Sequence, residues 1–256
     1  MQILWANKIG VSSLSASSVK DGYSVESLKS YHLSKPFAFD GNSGNVVIDM
    51  LSPVSVKDFS LLGTNAVTGA AITLEANASD VWTSPSYSTA LTLYPNGIAE
   101  KGDINESYRF WRVVMSDSSV TDLKIGYIYI GNDRLQLPGM DPSIELNYNN
   151  TTAVSFSATQ QTYSDTGIDY FSSKFKFPMV TDYEIEIDGK ALATREDILE
   201  FWGYNKGARP IILRIFENSL DVVPPFLGVV AQNTLRFKLD RTMGFYGLDF
   251  SFLETR

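Results

Sequence analysis

Two arginines, Arg109 and Arg112, stand in the aromatic-rich run "YRFWRVVM", 108–115. An unpaired buried charge costs several kcal/mol, so an arginine in such a run needs a partner. Asp117, Asp122 and nearby carbonyls are the candidates. Two roles are open: a structural arginine that ties a loop to the strand, or an arginine that binds a ligand. Three aromatics, Trp82, Tyr87 and Tyr94, fall near expected loops. They suit either sugar stacking or a sandwich core.

Catalytic chemistry finds little to use. The one histidine, His32, lies in "KSYHLSKPF", and no Gly-x-Ser-x-Gly elbow accompanies it. It reads as a solvated or loop-packing residue. Glu184 and Glu186 alternate on one strand face and suit solvent; Asp249 and Glu254 form a second pair. A glycosidase would need two carboxyls held across a cleft. With no cysteine, disulfides, thiolate nucleophiles and cysteine-ligated zinc are excluded. No phosphate-cradling glycine loop occurs. The expectation is a protein that is not an enzyme, with no catalytic residue, no cofactor and no metal ligand set.

The chain has 256 residues, 44% hydrophobic and 20% charged, with a net charge of −8. That is globular composition with material for one large β domain or two ordinary ones. The acidic balance and the lack of a basic block argue against nucleic acid and anionic membranes as partners. Cysteine absence and an opening "MQILWANKIG" without a signal-peptide pattern suggest folding in a reducing cytoplasm. No apolar run is long enough to span a membrane as a helix. Sequons at Asn77, Asn105, Asn149 and Asn150 matter only on a eukaryotic secretory route.

Period-two alternation dominates, which predicts half-buried strands. In the first region these are 45–50, 56–63, 70–77, 90–95, 107–117 and 123–132, with 10–30 read as serine-rich loop with one short turn. The last two, flanking a polar turn, read as a pair. Alternation puts Arg109 with Trp111, Val113 and Met115, and Arg112 with Tyr108, Phe110 and Val114. Both faces are largely apolar, which predicts a central strand covered on both sides. The Pro- and Gly-bearing stretch 134–146 reads as a linker, drawn at 136–146. Beyond it, strands are expected at 151–159, 169–180, 182–188 and 209–217, then a final pair, 226–232 with 234–242, and an alternating end. One helix is expected near 194–203. Thr194 caps it with Asp197 three residues on, and Ile198, Leu199, Phe201 and Trp202 cluster on one side. Gly203 or Gly207 can end it. The fold class is mostly β: an antiparallel sandwich, 1–135, then an α+β domain, 147–256.

The order "SSLSASSVKDGYSVESLKS…SKPFAFDG", "FSLLGTNA", "AAITLEANASDVW" and "YRFWRVVMSD…LKIGYIYIGN" resembles a galactose-binding-like (discoidin-type) jelly roll. More narrowly it resembles the form found in tail-tip proteins of long-tailed bacteriophages, with an aromatic–Arg strand and a following strand that ends in Gly131. The segment "EFWGYNKGARPIILRIF", 200–216, resembles the helix-to-strand element of distal and minor tail proteins, through Gly207, Arg209 and Pro210. The Pro224–Pro225 pair departs from that pattern. The resemblance also raises a structural calcium at "AFDGNSGN", 38–45, against a turn held by Asx side chains.

What the resemblance implies is a virion structural protein of a phage tail tip or baseplate. It would form a trimeric or hexameric ring or cap, with the tail tube, hub and tape-measure proteins as partners. It would reside in the virion tail after assembly in the host cytoplasm. The apolar loop around Val222, Val223, Pro224, Pro225 and Phe226 is the expected interface arm, or else packs on its own domain. The alternative is a carbohydrate-binding module with a glycan as partner; fold resemblance alone permits both.

Overall fold

The computed structural model describes residues 2–137, 145–150, 154–156, 162–164, 169–180, 182, 186–187, 190–205, 209–214, 225–230, 237–240 and 245–254. The chain is mostly β, with antiparallel pairing and one α-helix among the described residues. It divides into two compact units. One comprises Leu4–Arg134 and takes in Pro225. The other contains Gln2, Ile3 and the described residues from Leu135 onward, Pro225 apart.

The first unit is an antiparallel jelly-roll sandwich. Its five-stranded sheet is ordered Ser13–Ala16, Ser43–Val56, Glu106–Ser116, Ala71–Asn77, Tyr87–Ala90. Its four-stranded sheet is ordered Tyr127–Gly131, Asp58–Leu62, Ile98–Lys101, Thr92–Tyr94. Each sheet turns one apolar face inward. Val46, Ile48, Leu74 and Trp111 from the first meet Phe59, Leu61, Ile128 and Ile130 from the second in one core cluster. Each fully buried aliphatic or aromatic side chain there contributes about 1.5–3 kcal/mol. Two glycines are needed for close approach. A Cβ on Gly44 would stand 2.3 Å from the Phe39 ring, and one on Gly97 (φ +74°) 2.5 Å from the Thr64 carbonyl.

Several expectations change here. The strands of 108–131 do not pair with each other. Glu106–Ser116 pairs with Ser43–Val56 and Ala71–Asn77, whereas Tyr127–Gly131 pairs with Asp58–Leu62 in the other sheet. The polar stretch between them crosses from sheet to sheet. Asp117 anchors it by accepting the Val67 and Ser119 N–H groups, each at 2.8 Å. Gly126 divides 123–132 into two strands; a side chain there would meet Leu33 at 2.8 Å and the Leu62 carbonyl at 3.0 Å. Residues 10–30 are not all loop. Ser13–Ala16 is a strand whose apolar anchor, Leu14, is buried opposite Ile48, while the one short turn expected there is the 3₁₀ turn Val25–Lys29. Its serine-rich composition hid that anchor.

The second unit holds a sheet ordered Arg134–Gln136, Gln2–Leu4, Ile211–Arg214, Phe226–Val230, Phe245–Glu254, Asp169–Val180, Glu145–Asn150. Phe237–Asp240 also pairs with Phe245–Glu254. The expected final pair is therefore wrong in its partner: Phe226–Val230 and Phe237–Asp240 each pair with Phe245–Glu254. That strand has ten residues, long enough to carry both at different positions. The chain enters the sandwich from Gln2–Leu4 and leaves it into Arg134–Gln136, and these two strands are neighbours in the sheet. Gln136, at the start of the expected linker, is thus a strand residue; 138–144 lie outside the described residues.

The helix spans Arg195–Asn205. Thr194 Oγ1 accepts the Asp197 N–H at 3.2 Å while Asp197 Oδ2 accepts the Thr194 N–H at 2.8 Å, a reciprocal cap. Ile198 and Phe201 are buried, but Leu199 is 48% exposed, one position off the buried stripe. Gly203 lies within the helix and does not end it; Gly207 lies outside the described residues. No helix among the described residues is long and apolar enough to cross a membrane.

Candidate functional site

The outward face of the five-stranded sheet carries the chemistry. Trp111, Val113 and Met115 of Glu106–Ser116 point into the core, so Phe110, Arg112 and Val114 point out and are half-buried. The expectation of two covered faces is corrected: one face is core, and the other is a polar surface only partly overlain. Arg109 also departs from its expected place. The register with Ser43–Val56 slips between Tyr108 (opposite Val54) and Phe110 (opposite Asp49), so Arg109 sits at a bulge. The bulge resets the alternation. Tyr108 packs toward Trp111, with ring centroids 6.2 Å apart, and Arg109 turns to Asp49.

Neither arginine uses Asp117 or Asp122. Arg109 forks onto Asp49, Nε to Oδ1 at 2.7 Å and Nη2 to Oδ2 at 2.8 Å. Its guanidinium lies 4.7 Å from the centroid of the Phe110 ring. The Arg109 fork holds the Asp49 carboxyl below the usual carboxylate range. Asp49 Oδ1 also accepts the N–H of Leu51, whose backbone is left-handed (φ +63°). Arg112 donates through Nε and Nη2 to Oε2 of Glu75, its cross-strand neighbour, with Nε at 2.7 Å. Asp122 pairs instead with Lys20, which holds its carboxyl low. A further fork ties the exit of the sandwich. Arg134 grips the buried Asp58 through Nη2 at 2.7 Å and Nε at 3.0 Å, and reaches Asp103 at 2.7 Å. Burial opposes its charge, and Asp58 more than offsets that, raising the Arg134 pKa.

Trp82 completes the cluster around Arg112. The loop between Ala71–Asn77 and Tyr87–Ala90 folds over the outer face and brings the indole to 4.4 Å from the Arg112 guanidinium. Asn77 fixes that loop, donating to the Val81 carbonyl at 2.7 Å and accepting from Ser86 Oγ at 2.9 Å. Asp80 takes the indole N–H. Both Arg112 donors go to one oxygen of Glu75, so Arg112 Nη1 and Glu75 Oε1 have no protein partner among the described residues. Ser88 stands opposite Glu75 on the same face. The result is an aromatic plate with an open donor, an open acceptor and a hydroxyl beside it.

The other residues singled out in the sequence separate from this cluster. Tyr87 packs against the core, its ring centroid 6.2 Å from that of Trp111. Tyr94 lies in the four-stranded sheet, its hydroxyl 3.5 Å from Glu100 Oε1. His32 is exposed, its ring tilted 37° against that of Tyr31 with centroids 4.7 Å apart. In 38–45, the Gly41 and Asn42 carbonyls accept the Leu123 and Asp117 N–H groups. No three His, Asp or Glu side chains gather as for a metal ion among the described residues. Glu186 is exposed; Glu184, Val222, Val223 and Pro224 lie outside the described residues. Pro225 is buried, and its carbonyl accepts the Asn96 side-chain N–H at 2.9 Å. Phe226 opens a strand. The sequence missed Asp49 and Glu75 as partners, although alternation in "AITLEAN" already places Glu75 away from Ile72, Leu74 and Ala76.

No protein-family model and no curated protein matches the chain. Sugar-binding modules are among the solved structures similar to about half of it. A fucose-binding module of Streptococcus pneumoniae is 6% identical, with 50% of this chain and 98% of that one covered, at TM-score 0.41. The lectin domain of lectinolysin, complexed with Lewis B antigen, is 10% identical, with 50% and 96% covered, at TM-score 0.42. A chitosan-binding module of a Paenibacillus sp. IK-5 chitosanase/glucanase is 13% identical, with 50% and 100% covered, at TM-score 0.41. The functional reading below rests on this chain's own residues.

Proposed function

We propose that the sandwich unit recognises a carbohydrate at the Trp82–Arg112–Glu75 cluster. One observation carries the reading: an indole held on an outer sheet face beside a donor and an acceptor that have no protein partner among the described residues. A pyranose has an apolar C–H face and a rim of hydroxyls that both donate and accept. The indole offers an apolar plate to the first. Arg112 Nη1 and Glu75 Oε1 are matched to the second. The Glu75 contact and the indole hold the guanidinium in place, so little rotamer freedom is lost on binding. Glycan-array binding by the whole chain, repeated with Trp82→Ala, tests this. Specific hits that vanish in the variant support the reading; hits unchanged by the variant overturn it.

A second reading is favoured by a different observation. The sandwich is spliced between two neighbouring strands, Gln2–Leu4 and Arg134–Gln136, of the other unit's sheet. The sandwich is therefore joined to the other unit by two chain connections rather than one. We propose on that ground the tail-tip role: a ring or cap, trimeric or hexameric, that joins the tail tube to the hub and receptor-binding parts in a phage virion, assembled in the host cytoplasm. Light scattering at about 1 mg/mL and after tenfold dilution tests it. A stable three- or sixfold multiple of 28.4 kDa supports it. A monomer that also fails to co-assemble with a tail-tube protein contradicts it.

A further inference from the structure

Phe110 is the aromatic the carbohydrate reading leaves unused. It stands two residues from Arg112 on the same strand face, which places their Cα atoms about 7 Å apart. It is half-buried, yet it takes no part in the core cluster that Trp111 and Tyr108 join. Its register partners are Asp49 and Asn77. Asp49 holds the Arg109 guanidinium 4.7 Å from the Phe110 ring centroid. Asn77 holds the base of the Trp82 loop. The same motif therefore occurs twice along one strand: a ring with a guanidinium against it, and a carboxylate holding that guanidinium. The Trp82 copy uses Arg112 and Glu75; the Phe110 copy uses Arg109 and Asp49.

A lone ring on a sheet face is unremarkable packing. Two rings on one sheet face, each next to a fixed fork on the same strand, present two apolar plates to a ligand that lies along that face. Rows of plates favour length over end-group identity, because each added sugar gains its own stacking contact. An end-on site would instead enclose one terminal sugar in a pocket.

We infer that Phe110 forms a second sugar subsite, and that the sheet face takes an extended oligosaccharide rather than a single terminal sugar. The inference rests on the carbohydrate reading of the Trp82 cluster. The Arg109–Asp49 fork is the positioning device of this subsite, and it reaches solvent: the Arg109 side chain is 41% exposed.

Isothermal titration of the whole chain tests it. The probes are glucose, galactose, mannose and N-acetylglucosamine, each as the monosaccharide and as its β-linked disaccharide and tetrasaccharide. The proteins are the unaltered chain, Trp82→Ala, Phe110→Ala and Phe110→Tyr. The expected result is an affinity that rises about tenfold or more from monosaccharide to tetrasaccharide in at least one series, a gain of about 1.4 kcal/mol. Phe110→Ala removes that rise and leaves the monosaccharide affinity within about twofold, while Phe110→Tyr, which keeps the ring, restores it. Affinity that does not depend on length, or that Phe110→Ala leaves unchanged while Trp82→Ala abolishes it, overturns the second subsite and spares the first. Absence of binding for every probe overturns the carbohydrate reading together with the subsite. Matched unfolding midpoints for the variants separate lost binding from lost structure.

Discussion

The Arg112 guanidinium lies between the Glu75 carboxylate at its edge and the Trp82 indole at its face, with the ring centroid 4.4 Å away. A loop residue, an edge-side strand and the central strand of the sheet are thus joined through one side chain. Both ion-pair partners are only 15–17% exposed. The pairing therefore has structural consequences as well as a place in recognition.

Arg112→Gln leaves Glu75 partly buried without its cation. The expected cost is about 1–3 kcal/mol, read from the urea midpoint at pH 7. Trp82→Ala should cost less than Arg112→Gln, because it removes the stack and spares the ion pair. A double-mutant cycle between Glu75→Gln and Arg112→Gln should give a clear coupling energy, since the two side chains are in direct contact.

Arg134→Gln is expected to be the most damaging single charge change in the sandwich. Asp58 is 1% exposed and loses the two-pronged fork that neutralises it. Removing one partner of such a pair costs about 3–5 kcal/mol. Thermal unfolding of the variant should show a drop of several degrees, and a change within one degree would contradict the assignment.

Gly44→Ala tests the packing behind the same sheet. The added methyl would start 2.3 Å from the Phe39 ring, and that ring is itself packed edge-on against Phe37 at 4.8 Å. Neither ring has free space to yield. About 1–3 kcal/mol of destabilisation is expected from overpacking. Gly10→Ala, with nothing within 4 Å, serves as the control.

Acid should weaken the sandwich in a defined window. Asp49, Asp117 and Asp122 are held below the usual range, by the Arg109 fork, by the Val67 N–H and by Lys20 respectively. The unfolded chain therefore takes up protons first as pH falls. Their contribution is fully present above about pH 3.9, the ordinary aspartate value, and is lost as pH falls through the lower folded values. The urea midpoint measured from pH 7 to pH 2 should drop mainly below about pH 4. Asp117→Asn should shrink that drop.

The sheet class, most strand positions and the capped helix were legible because they are written in local alternation and in local caps. "AITLEAN" alternates cleanly and is a strand of seven residues, and Thr194 with Asp197 forms the reciprocal cap. Pairing was not legible in the same way. The strands of 108–131 share a hairpin-like pattern, yet they belong to opposite sheets because Asp117 and Gly126 redirect the chain between them. Alternation alone puts Arg109 on the wrong face, because the register slips between Tyr108 and Phe110 and nothing in "YRFW" announces it. The partners of both arginines lie 37 and 60 residues away, visible only once the register is known. Trp82 was visible as an aromatic near a loop; that the loop folds back onto Arg112 was not.

The measurement that bears most directly on the account is a glycan array probed with the whole chain and with Trp82→Ala at matched concentration and confirmed folding. The account predicts a restricted set of glycan hits for the unaltered chain and their loss in the variant. An array with no hits for the unaltered chain, or with the same hits for both proteins, would contradict it.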